Sequence, residues 1–209
     1  MAEALKMEAG PGEFEPVADE PRTYFDETLQ RTIVKVLPGT QYVSKKEGEL
    51  ITTVLGSCVS ACLWDPYLGI GAMNHFMLPF DETGDWSGRA SSLRYGNHAM
   101  LALVNSMAEA GANRYTLRCK MFGGANVLNG AGDVGSRNTR FAEDYIAKQH
   151  VMTVLADLGG DRGRRIVFDP DTGRVWRKFL SVDANEIVTR AEAGLQRKLS
   201  AQFVCVRSE

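Results

Sequence analysis

The residues best suited to chemistry lie between positions 52 and 79, in the run TTVLGSCVSACLWDPYLGIGAMNHFMLP. The pair Gly56-Ser57 delivers Cys58 at the mouth of one strand-like segment, and a second such segment delivers His75. A thiol with an unperturbed pKa of about 8.5 is only a few per cent thiolate at neutral pH. A neighbouring imidazole takes its proton and stabilises the thiolate as an ion pair. A third polar group must then orient the ring. The hydroxyl of Thr52, on the incoming strand, is the candidate. Backbone N–H groups around Gly56, Ser57 and Cys58 are placed to hold an oxyanion, since glycine permits close backbone approach. These types in this order point to nucleophilic acyl chemistry.

Other readings of the same residues are blander. Cysteine is often a small buried hydrophobe, and Cys62, Cys119 and Cys205 sit in apolar surroundings that suit that role. Cys58, Cys62, His75 and Cys119 are zinc-ligand types, yet the C-x3-C pair lies inside a strand rather than a zinc knuckle, so no metal is expected. His98 and His150 fall near expected helix ends, where solvent or the helix dipole accommodates them. Gly123 and Gly124, with Gly130, Gly132 and Gly135, have the glycine density of a phosphate cradle. Without G-x-x-x-x-G-K-[ST] they read instead as a turn that shapes a pocket wall, and no cofactor is expected. Arg137 and Asn138 open a helix beside that turn, and Asn74 precedes His75. These three are further pocket-shaping candidates.

The elements that must position these groups follow from periodicity. Strands are expected at 49–55, 59–64, 70–78, 115–122 and 151–157, and a hairpin at 165–168 and 174–179 around Asp171-Thr172-Gly173. Helices are expected at 97–110, from about 136 to 149, and at 184–199. The last carries an apolar stripe of Ile187, Val188, Ala191, Leu195 and Leu199. Residues 80–96 read as a polar loop and a candidate lid. Strands and helices mix without strict βαβ alternation, which predicts an α/β (α+β) fold, a layered α/β sandwich. The basic run Arg162, Arg164, Arg165, Arg174, Arg177 and Lys178 reads as a solvated hairpin face that can also attract an acidic helix.

Composition bounds the rest. The chain has 209 residues, with 24 Lys+Arg against 26 Asp+Glu and a net charge of −2. That near-neutral balance argues against a broad nucleic-acid footprint. No apolar run is long enough to span a membrane, no secretory signal is visible, and four cysteines are too few for a disulfide scaffold. A reducing, cytoplasmic setting is expected. Residues 1–22 hold Glu3, Glu8, Glu13, Glu15, Asp19 and Glu20 against Lys6 and Arg22, broken by Gly and Pro. They read as an acidic, disordered tail, followed by one domain over 23–209.

Taken together, LGSCVSACLWDP and MNHFMLP resemble the CheD family of chemoreceptor glutamine deamidases. KMFGGANV at 120–127 is similar to that family's K-I-F-G-G-A motif, and VGSRN at 134–138 to its I-G-x-R-N motif. DLGGDRGRRIVFDPDTGRV at 157–175 resembles its G-G-x-x-G-R-x-I-x-F…T-G-x-V segment. The motifs run in order from about residue 45 to about 180. The resemblance implies hydrolysis of glutamine side-chain amides on chemoreceptor cytoplasmic helices, giving glutamate and ammonia. Cys58 matches the family's nucleophile, His75 its general base and Thr52 its third polar residue. It implies a layered fold related to the deamidating cytotoxic necrotizing toxins, and a CheC-type phosphatase as a partner of some members. A monomer is the default. The competing class is a catalytically inactive binding module for such a phosphatase or a response regulator. Transglutaminase and methylesterase chemistry share the same thioester and stay open.

Overall fold

The structure, a computed structural model, describes residues 20–44, 46–78, 89–127, 133–149 and 151–202. Among the described residues, ten strands form two five-stranded sheets. The first has the order β1(Arg22–Asp26), β2(Arg31–Lys35), β4(Leu50–Leu55), β9(Arg164–Phe168) and β10(Val175–Phe179). The second has the order β3(Gln41–Val43), β6(Ile70–Asn74), β5(Val59–Asp65), β7(Arg118–Gly123) and β8(Met152–Leu158). Pairing is antiparallel except for β2 with β4 and β7 with β8, so both sheets are mixed. Among the described residues, three helices complete the fold: α1(Arg89–Glu109), α2(Val134–Lys148) and α3(Val182–Gln202). This is the expected α+β class in a layered arrangement.

Side-chain alternation fixes which layer each residue serves. Successive residues of a strand point to opposite faces. On β5, Val59, Ala61 and Leu63 join Met100, Leu103 and Met107 of α1 and Ala142 and Ile146 of α2 in one apolar core. Cys58, Cys62 and Trp64 join Ile51 and Leu55 of β4 and Ile166 and Phe168 of β9 in a second core, between the sheets. The layers are therefore α1 and α2, second sheet, first sheet, with Leu195 and Leu199 of α3 joining the inter-sheet core. Strand β4 lies in one sheet and β5 in the other, so the Gly56-Ser57-Cys58 turn is a crossing between sheets.

Several expectations need correction. Helix α1 begins at Arg89, earlier than the expected 97, so part of the anticipated loop is helical. Gly96, inside this helix, serves close packing: a Cβ there would lie 2.6 Å from the Phe141 ring. The remainder of the candidate lid, 80–88, lies outside the described residues, as do residues 1–19, His150 and Cys205. His98 lies inside α1 rather than near a helix end. Strands β1 to β3 were not anticipated. The first is exposed at four of its five positions and the third has only 3 residues, so neither carries a clear apolar alternation. Arg164 is not part of a solvated face. It is buried, bonds Asp157 Oδ1 at 2.7 Å, and also donates to the Gly159 carbonyl.

Candidate active site

Strands β5 and β6 pair in antiparallel register, and a bridge between Val59 and Phe76 extends that register past the end of β6. Met73, His75 and Met77 alternate on the side of β6 that faces the inter-sheet core, as Cys58 and Cys62 do on β5. Cys58 and His75 thus share one face, and the Cys58 sulfur and a His75 ring nitrogen lie within 4.8 Å of each other. The β2–β3 connection grips the His75 backbone from both sides. Gly39 N donates to the His75 carbonyl at 2.8 Å, and His75 N donates to the Thr40 carbonyl at 3.0 Å.

The hydroxyl that meets the His75 ring is that of Thr53, not of Thr52. Thr53 Oγ1 lies 2.8 Å from His75 Nδ1 and donates to the Val36 carbonyl at 2.9 Å. A carbonyl only accepts, so the one hydroxyl proton of Thr53 is spent on Val36. Nδ1 therefore carries the ring proton and donates to Thr53, which leaves Nε2 as a base with a free lone pair. Nε2 has no hydrogen-bond partner. Thr52, on the opposite face of β4, donates to the Ile166 carbonyl at 2.7 Å. The signal was present in the alternation: Ile51 and Leu55 are inward-facing, and Thr53 shares their parity.

Asn74 is corrected by the same rule. Its Oδ1 accepts from Ala61 N at 2.9 Å, and its amide reaches the Ala99 carbonyl at 3.4 Å, on the helix side of the sheet. It ties β6 to β5 and α1 and does not face the thiol. Asn138 is fully buried and does reach the site from behind: Nδ2 donates to the Ser57 carbonyl at 2.7 Å, while Oδ1 accepts from Leu78 N at 2.8 Å. Gly123 and Gly124 both have positive φ, 113° and 66°. Gly124 N donates to the Cys58 carbonyl at 2.8 Å, and a Cβ at Gly123 would collide with that carbonyl. Ala125 N donates to the Gly56 carbonyl, also at 2.8 Å. Arg137 is half-buried beside Asp133 and Arg140, and burial lowers its pKa.

The three carbonyls of Gly56, Ser57 and Cys58 are thus held from one side, and their three N–H groups point to the other. All three meet one carboxylate. Glu192 Oε1 accepts from Gly56 N at 2.8 Å and Cys58 N at 3.3 Å. Its Oε2 accepts from Ser57 N at 2.6 Å and Ser57 Oγ at 2.7 Å. Successive N–H groups of this kind form an anion-binding nest. Glu192 sits on α3, and nothing in the sequence reading had marked it. Cys58, His75 and Glu192 form the group of potential ligands found here among the described residues. Cys62 and Cys119 stay outside it. The Glu192 oxygens already accept from four donors, which is an anion's coordination and not a cation's.

Electrostatics follow from enclosure. Cys58 is 0% exposed and His75 2%. Burial lowers the His75 pKa to about 3, so the imidazole is neutral. Burial, and then the charge of Glu192 and its hydrogen bond, push the Cys58 thiol well above its usual range. As folded, the pair is thiol and neutral imidazole.

A chemoreceptor glutamine deamidase of Rhodopseudomonas palustris, named as probable, is 38% identical over 191 residues, spanning 91% of this chain and 90% of that one. This chain belongs to the CheD family. The family model described as CheD chemotactic sensory transduction matches residues 77–179. Similar CheD proteins, also named as probable deamidases, occur in Halorhodospira halophila, 42% identical over 87% of this chain and 85% of that one, and in Shewanella oneidensis, 42% over 82% and 84%. The family model starts just past His75, whereas a match over 91% of the chain must run through residues 52–75. Among solved structures, Neisseria meningitidis protein NMB0706 is similar at a TM-score of 0.37 and 7% identity, over 57% of this chain and 53% of that one, too slight a likeness for any conclusion. No described helix of this CheD chain is long and apolar enough to cross a membrane.

Proposed function

We propose that this chain is a protein-glutamine glutaminase of chemotaxis, which deamidates glutamine side chains on chemoreceptors through a Cys58 thioester. One observation carries the mechanism: a thiol, a base fixed in one tautomer, and a nest of N–H donors converge on one spot. Once a substrate amide occupies that spot, His75 Nε2 takes the Cys58 proton and the sulfur attacks the amide carbon. The oxyanion rests on the Ser57 and Cys58 N–H groups. The protonated imidazole then gives its proton to the departing nitrogen, which leaves as ammonia, because an amide anion is too basic to leave unaided. His75 next draws a proton from water, whose oxygen attacks the thioester. The C–S bond breaks, glutamate is released and the thiol is restored. Thr53 is a positioning residue that keeps Nδ1 protonated. The scheme uses no metal or organic cofactor. The substrate is a receptor cytoplasmic helix and the compartment the cytoplasm, with a monomer as the acting species and a CheC-type phosphatase as a regulator.

Peptide mass spectrometry of a receptor cytoplasmic fragment tests this reading. Wild type converts specific Gln to Glu, and Cys58→Ala and His75→Gln lose at least about 10³-fold in rate. Unchanged turnover in Cys58→Ala would remove the nucleophile assignment. Thr53→Val is expected to lower kcat by about 10–100-fold, a part of what general acid–base help contributes. Thr52→Val is expected to cost far less. The reverse order would return the role to Thr52.

A further inference from the structure

The buried face of α3 does not match an ordinary apolar stripe. Of the side chains expected to form it, Ile187 is 68% exposed and Ala191 is also exposed. What α3 buries instead are Glu192, at 3% exposure, Gln196, at 7%, and Leu199, with Leu195 half-buried beside them. These positions stand at i, i+3, i+4 and i+7, the anchor spacing of a helix lying in a groove. The carboxylate at the first anchor fills the anion nest beside Cys58. A Cβ at Gly56 would lie 2.6 Å from Glu192 Oε2, so the fit is close.

We propose that α3 is a built-in competitor that closes the active site by presenting a product-like glutamate side chain to it. The proposal rests on the deamidase reading above. Glutamate is what deamidation produces, and a carboxylate cannot be attacked by a thiol, so a helix carrying Glu at this anchor holds the site without being consumed. It covers Cys58 and removes the donors an oxyanion needs. Being tethered in cis, it competes at an effective concentration of the order of millimolar.

The seat is also built to be vacated. Both polar atoms of the Gln196 amide are buried without a hydrogen-bond partner. Leaving such a group unpaired costs about 1–3 kcal/mol, and that cost disappears when α3 lifts and the amide meets water. The class of ligand that replaces α3 follows from the anchors: a helix with glutamine in place of Glu192 and apolar side chains three and seven residues on. The substrate is therefore a glutamine displayed on a helix, and its binding and the opening of the enzyme are one event.

Alkylation of Cys58 by iodoacetamide at neutral pH, followed by peptide mass spectrometry, tests this on the full chain. Glu192→Ala is expected to label at least tenfold faster than wild type, by roughly the fraction of time the seat is freed. Far-UV circular dichroism and thermal melting establish that the variant is folded. The near-isosteric Glu192→Gln covers the case in which Ala unfolds α3, because it retains the side-chain shape. It places an amide on the donors, and the position is expected to be read as Glu after incubation in the Cys58 background but not in the Cys58→Ala double variant. Equal labelling of Cys58 in wild type and in both Glu192 variants would overturn the proposal. Faster labelling without hydrolysis of either the introduced amide or a receptor fragment would keep α3 as the cover of the site and sink the deamidase reading instead.

Discussion

Helices α1 and α2 and helix α3 cover the same sandwich by different means. The first two bury Met100, Leu103, Met107, Ala142 and Ile146, all apolar, against β5 and β7. Such burial is non-directional and has no alternative partner in water. Helix α3 buries a carboxylate and an amide beside Leu195 and Leu199. Its main tie is a set of charge-assisted hydrogen bonds from the turn that bears Cys58, which are strong but which another anion or a developing oxyanion can also accept. One pair of helices is permanent structure; the other helix is attached through the functional site itself.

The sharpest way to break that contrast is to truncate equivalent leucines. Both Leu103 and Leu199 are fully buried. Leu103→Ala is expected to cost about 2–5 kcal/mol of global stability by urea unfolding. Leu199→Ala is expected to cost less, because a helix that lifts locally limits the loss to its own docking free energy. Equal losses would make α3 as integral as α1.

Acid probes the contrast next. His75 faces Thr53 of β4, Cys58 at the start of β5, and Glu192 of α3. Its pKa is about 3 in the folded chain, below the ordinary 6.5. The neutral ring therefore favours the closed state fully above pH 6.5, and that preference is lost progressively as pH falls toward 3. If lifting α3 hydrates the ring, amide protection in α3, corrected for intrinsic exchange, falls roughly 30-fold between neutral pH and pH 5, about 2 kcal/mol. Protection in α1 stays flat. Parallel losses in α1 and α3 would show that the ring is sealed by the sandwich rather than by α3.

The smallest effect expected is also the most specific. Gln196→Leu replaces an unpaired buried amide with an apolar group, so it is expected to stabilise α3 by about 1–2 kcal/mol and to slow receptor deamidation by the corresponding factor of about 5–30. A variant both more stable and faster would contradict the view that α3 must leave.

These contrasts also explain what the sequence disclosed. The thiol and imidazole were legible because one turn and one antiparallel register bring them together within a short stretch, where strand parity is a local rule. Parity also separated Thr53 from Thr52 and His75 from Asn74, but only once Ile51 and Leu55 were known to face inward. Glu192 was not legible. It is 134 residues from Cys58 along the chain, and it lies within a helix where Ile187 and Ala191, both exposed, drew the stripe toward a different face. The polar pair Glu192 and Gln196, on the same face as Leu195 and Leu199, was the one available sign. Gly123 and Gly124, expected to shape a pocket wall, hold the Cys58 backbone: Gly124 N donates to the Cys58 carbonyl, and Gly123 leaves room for it.

The clamp on that backbone has an evolutionary consequence. Gly124 N, Ala125 N and the Asn138 amide fix the carbonyls of residues 56–58, and the anion seat on the other side consists of backbone N–H groups and one serine hydroxyl. None of these donors is the thiol. A descendant that exchanged Cys58 for another small residue would lose turnover but keep the carboxylate seat. Such a pseudoenzyme would still grip acidic helices, so catalysis and recognition can be inherited separately in this fold.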